Sequence, residues 1–176
     1  MHRTMDITAR DAAALLASGD AESMAEAIAQ ACGASDAPPT PSLVRRHLES
    51  LQQTSLGMDG WRRMRLSRLE ALLEFMDTVA FVAPGSRCMV SGRAAQGHID
   101  DTSPARVRVI SVDAPRLLDA LEDHDLVPDH IGTLSTSIGQ VAQARFSGTD
   151  LLVEIMVLPD VPDASGTVNL VDGRPV

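Results

Sequence analysis

The sequence predicts an α+β protein: an N-terminal helical region followed by a small mixed β-sheet with one or two packed helices. Three observations predict it. Apolar residues recur at helical spacing from Trp61 to Val79. β-Branched residues alternate with others from Ala105 to Val112 (ARVRVISV). The change of pattern falls at Pro84, and 44% hydrophobic residues in 176 suffice for a core without disulfides.

Residues 1–33 read as two short helices. Thr8 suits an N-cap for the first, with Ala12, Leu15 and Leu16 as its apolar face. Asp20 suits the cap of the second, Ala21 to Cys32, with Met24, Ile28 and Ala31 on one side and Gly33 as its stop. Residues 34–41 form a linker, because Pro38, Pro39 and Pro41 oppose regular helix. Residues 42–83 read as a helical hairpin. Ser42 caps its first helix, whose face is Leu43, Val44, Leu48 and Leu51, and Gly57 ends it. The second helix, 60–79, carries Trp61, Met64, Leu69, Leu72, Leu73, Met76 and Val79 on one stripe.

Residues 84–160 form the α+β domain. Strands are expected at 88–91, 105–112, 140–146 and 151–158, with a helix over 115–125 opened by Pro115. Ser147-Gly148-Thr149-Asp150 joins the last two strands as a hairpin-like turn. Residues 161–176 are a Pro- and Gly-containing tail with at most a short strand at 167–171.

Composition excludes several kinds of chemistry. All fifteen basic residues are Arg, so no Schiff-base, P-loop or general-base lysine exists. Aromatic residues are 2%, which argues against base-stacking platforms and aromatic cages. Cys32 and Cys88 form no CxxC pair and read as free buried thiols. There is no GxSxG, HExxH or HxH. His124 and His130 flank an acid-rich loop with Asp123, Asp125 and Asp129, read as solvated charge rather than a metal site. The N-terminus lacks the apolar run of a signal peptide, and no stretch is long enough to span a bilayer; a cytoplasmic, bacterial-type protein is expected.

Charge is unevenly placed. The net charge is −9, which disfavours nucleic acid and membrane as partners of the whole molecule. Residues 42–68 nevertheless carry six Arg against two acids: Arg45, Arg46, Arg62, Arg63, Arg65 and Arg68. In the long helix Arg62, Arg63, Arg65 and Arg68 precede Glu70, Glu74 and Asp77, against the macrodipole preference. This patch is a candidate for a partner: the acidic N-terminal segment, a second subunit, or phosphate. The Pro84-Gly85-Ser86-Arg87 segment reads as a tight turn.

From Cys88 to Pro159 the pattern resembles the nucleotidyltransferase fold of the DNA polymerase β superfamily, close to small bacterial toxin–antitoxin members. Met89-Val90-Ser91-Gly92-Arg93-Ala94-Ala95-Gln96-Gly97 resembles the first strand, its hGS turn and a short helix. Ala105 to Val112 resembles the Asp-x-Asp strand, and 151–158, with Glu154, the strand of the third carboxylate. The resemblance implies Mg²⁺ between strand carboxylates at i and i+2. Here those positions hold Arg106 and Arg108, which are cations. A second register offers Asp100 and Asp101, adjacent rather than two apart.

The resemblance therefore implies a pseudoenzyme: a non-catalytic binding or regulatory protein acting through a protein partner or an anionic ligand, with no cofactor. Its candidate anion or nucleotide site is Ser91, Gly92, Arg93, Arg106, Arg108 and Glu154. The plain structural reading of the same residues is a salt-bridge ladder on a sheet surface. Self-association is expected from the amphipathic Ala- and Leu-rich helices. The rivals are an active Mg²⁺-dependent transferase using Asp100, Asp101 and Glu154, an ACT- or PII-type regulatory domain, and a nucleic-acid module using the Arg45–Arg68 cluster.

Overall fold

The computed structural model describes residues 2–32, 37–99, 103–110, 113–148 and 151–160. The expected strand at 167–171 and the carboxylates of Asp100 and Asp101 lie outside the described residues. The chain divides into two compact units, Met1–Arg65 and Leu66–Val176.

The first unit is helical. α1 spans His2–Ser18 and α2 spans Met24–Ala31. Thr8 is buried inside α1 rather than capping it, because the helix starts earlier than its polar opening suggested. Ser23, not Asp20, caps α2: its side chain accepts from the Glu26 amide, and the Glu26 carboxylate accepts from the Glu22 amide in return. α3 spans Pro41–Val82, broken at Gly57, whose φ of 68° and ψ of 167° are non-helical. Glycine occupies this positive φ without the Cβ clash that other residues meet, so the expected stop at Gly57 is a break between two helical segments. Thr40, not Ser42, accepts from the Leu43 amide at 3.3 Å, which leaves Pro41 at the first helical position. The core of this unit is Ala9, Ala12, Ala13, Ala27, Val44 and Leu48, small side chains that let helices approach closely.

The second unit is a five-stranded sheet with helices on one face. β1 is Arg87–Ser91, β2 Ala105–Ile110, β3 His130–Thr136, β4 Gly139–Ser147 and β5 Leu152–Leu158; α4 is Ala114–Glu122. A single 3₁₀ turn, Ala94–Gln96, follows β1. The sheet order is β1-β2-β5-β4-β3, mixed because only β2 and β5 run parallel. Strand, Ser91-Gly92 turn, short helix, strand, helix and Glu154-bearing strand occur in the order the resemblance implies. The sequence reading missed β3, which enters as a hairpin with β4 ahead of β5. The arrangement is α+β, as expected. A mixed sheet with a parallel central pair is not the antiparallel ferredoxin-like sheet that an ACT- or PII-type domain requires.

Alternation decides the faces. Val107 and Val109 of β2, Val153, Ile155 and Val157 of β5, and Ala144 and Phe146 of β4 face the helices. They pack on Leu72, Phe75 and Val79 of α3, on Ala83 just past its end, and on Leu117, Leu118 and Leu121 of α4. Each fully buried aliphatic side chain contributes about 1.5–3 kcal/mol. The helical stripe differs from the expected one: Leu69 and Leu73 are 42% and 51% exposed, while Phe75 is buried. The row 72, 75, 79 and 83 points at the sheet, and 69 and 73 fall to its side. No helix among the described residues is long and apolar enough to cross a membrane.

Candidate functional site

The sheet face opposite the helices carries the unusual chemistry. Cross-strand register aligns one row over all five strands: Ser91 with Arg106, Arg106 with Glu154, Glu154 with Arg145, and Arg145 with His130. Directly opposed residues project to the same face. The neighbouring row is Met89, Arg108, Met156, Gln143 and Gly132. Beyond it the face turns apolar, where Ile110, Val141, Met156 and Leu158 cluster with Met89 and Leu134.

Glu154 is the centre of the first row. It is 3% exposed, although carboxylates are almost never buried without partners. Arg106 Nε donates to Glu154 Oε1 at 3.0 Å, and Arg145 Nη2 donates to Oε2 at 3.3 Å. Both carboxylate oxygens are therefore held by guanidinium groups. The arginine side chains remain open, at 56% for Arg106 and 44% for Arg145. Each fork keeps further N–H donors beyond the one given to Glu154. Their strands are two apart, which separates the backbones by about 9–10 Å.

The candidate residues fall into three groups. Ser91, Arg106 and Glu154 share the row, and Ser91 Oγ donates to the Arg106 carbonyl at 3.4 Å. Gly92 follows directly, at φ 65°, and Arg93 opens the 3₁₀ turn. Arg108 does not belong to a surface ladder with Arg106. It is 5% exposed, set between Met89 and Met156, and burial lowers its pKa from the ordinary guanidinium value. Arg145 and His130 extend the row and were not foreseen. Arg145 follows fourteen uncharged residues, and β3 was not recognised as a strand, so only the sheet register reveals them.

The described residues of this face do not supply the acid pair that the resemblance implies for a divalent cation. At the strand positions where the resemblance implies metal-binding acids stand Arg106 and Arg108, and both oxygens of Glu154 are engaged. Among the described strand residues of this face, Glu154 is the one carboxylate against Arg87, Arg106, Arg108 and Arg145. Arg87 pairs with Asp160, beyond β5. No group of three metal-ligating side chains occurs among the described residues, and His124 instead stacks edge-on against Phe81.

The N-terminal arginine patch is divided. Arg46 lies 3.9 Å from Asp6, which also contacts His47 Nε2 at 3.0 Å, so the acidic N-terminal segment supplies a partner within the first unit. Arg62 faces Asp59 at 3.9 Å, and Arg65 lies over the Trp61 ring at 4.7 Å. Arg45 is half-buried and Arg63 exposed. Arg68 belongs to the second unit and is 8% exposed, so it is no part of an open patch. Its position, four residues before the buried Leu72, turns it inward.

A concavity of about 550 Å³ lies on the helix side of the sheet. Phe75, Leu126, Phe146 and Val153 form its apolar lining, and Glu70, Glu74 and Asp125 its acidic residues. Cys88 also packs against the helix-side core, and burial pushes its thiol up to about 11.

No known protein family matches the chain, and no curated protein matches it. Among solved structures, a chain in the structure of a GLD-2/RNP-8 complex is similar over 54% of this chain, with 13% identity and a TM-score of 0.39. The similar region spans 41% of that chain. A likeness of that size assigns neither fold nor activity.

Proposed function

We propose that the second unit is a non-catalytic, nucleotidyltransferase-like binding module that takes an anionic ligand on the Arg106–Glu154–Arg145 row. One observation carries this reading. A buried carboxylate is bridged by two half-exposed arginines where the resemblance implies acids holding a metal. Guanidinium forks bind phosphate and carboxylate groups through paired N–H donors without a metal. Glu154 holds both forks in place, so an arriving anion meets donors already oriented. The same carboxylate offsets part of their charge.

Titration with inorganic phosphate tests the reading. Amide shifts in β2, β4 and β5 should saturate with phosphate in the wild type. In the doubly substituted Arg106→Gln, Arg145→Gln protein affinity should fall at least about tenfold, because each charge-assisted bond contributes about 1.5–3 kcal/mol before solvent screening. Phosphate binding that ignores both substitutions would dispose of the reading.

A further inference from the structure

The two edges of the sheet differ. The β1 edge begins at Arg87 and is followed closely by Arg93. Among the described residues the opposite edge, β3, pairs with β4 alone. From Ile131 to Ala144 fourteen consecutive residues carry no charge, in a chain of which 22% is charged. β3 has no proline, and its seven residue pairs with β4 run without a bulge. Edge strands are normally blunted by charge, proline, bulges or a covering segment, since their free backbone groups template further pairing. β3 uses none of the first three. Ile131 lies on the face of the buried Ala144 yet is 54% exposed, Thr133 and Ser135 are exposed, and Val127 before the strand is 66% exposed.

We propose that β3 pairs antiparallel with β3 of a second copy of this chain, about a two-fold axis at Thr133, giving one continuous ten-stranded sheet. Symmetry and charge select this occupant. The pairing sets Thr133 opposite Thr133, a favourable cross-strand pair. It sets Ile131 opposite Ser135 and Gly132 opposite Leu134, a large side chain against a small one each time. No charged side chain meets another along the strand. A charged peptide finds no complementary side chain on this edge, whereas the strand itself is neutral at every opposed position from 131 to 135. The contact is isologous and closes at two copies. It leaves the Arg106–Glu154–Arg145 row outside the interface, so it stands independently of the anion reading.

Sedimentation velocity of the full chain over a wide concentration range tests the pairing. The wild type should dimerise. Thr133→Lys and Thr133→Glu each oppose like charges across the axis and should weaken the dimer by about a hundredfold or more, with far-UV circular dichroism unchanged. An equimolar mixture of the two should regain dimers, because Lys then meets Glu. Should either variant lose its circular dichroism, Ile131→Glu serves instead and must weaken the dimer likewise. A wild type that stays monomeric, variants that dimerise as the wild type does, or a mixture that recovers nothing would each overturn the pairing.

Discussion

Glu154→Gln is expected to lower stability by about 2 kcal/mol while tightening phosphate binding about tenfold. The two effects have one cause. Removing one partner of a fully buried ion pair costs about 3–5 kcal/mol. Arg106 and Arg145 are half-exposed and can turn to water, so the loss is closer to that of charge-assisted hydrogen bonds, about 1.5–3 kcal/mol. Glutamine keeps the shape and one acceptor oxygen, which still orients one of the two forks and holds the stability loss below the upper limit. It also removes the negative charge that an arriving phosphate must approach. Unit charges about 4 Å apart at a protein surface interact by about 4 kcal/mol before further screening. A tenfold gain therefore asks for only part of that. Urea unfolding and phosphate titration of the same variant read both. A carboxylate that served a metal would give no gain in phosphate affinity.

Ile155→Ala is expected to be the most damaging single substitution in the sheet, at about 2–5 kcal/mol. Ile155 is fully buried on β5, the central strand, opposed to Val107 of β2 and Ala144 of β4. Its neighbours there are β-strand backbones tied by ladders on both sides, which relax little into a cavity. Leu121→Ala, on the terminal turn of α4, offers a comparison, since a short helix shifts more easily. Equilibrium unfolding of both variants should place Ile155→Ala at or above Leu121→Ala.

The helices and four of the five strands were legible because their periodicity is strong. Leu72 and Val79 mark the α3 stripe, and Val107 and Val109 mark β2. β3 was not legible. Its sequence, HIGTLST, holds a glycine and few large apolar residues, because as an edge strand it buries little. The buried helix stripe is narrower than its spacing suggests, since spacing alone cannot say that Phe75 faces the sheet while Leu73 does not. Caps moved to Ser23 and Thr40 because several Ser, Thr and Asp residues compete near each helix start.

The site was half legible. The resemblance is what sets Arg106 and Arg108 against expected acids and Glu154 against the third carboxylate. That Arg108 is buried while Arg106 reaches Glu154 depends on what covers each row, which no spacing rule encodes. Arg145 required the β4–β5 register, a pairing fixed by the turn between them and by which face must be apolar.

Parallel titrations of the wild-type chain with MgCl₂ and with sodium phosphate, at matched ionic strength, test the central claim most directly. The readouts are the Arg106 and Arg145 guanidinium Nε–H signals and the Glu154 side-chain carboxyl ¹³C shift. Phosphate should move the arginine signals saturably while Mg²⁺ leaves all three unchanged. A saturable Mg²⁺-dependent shift of the Glu154 carboxyl, with phosphate inert, would contradict the account.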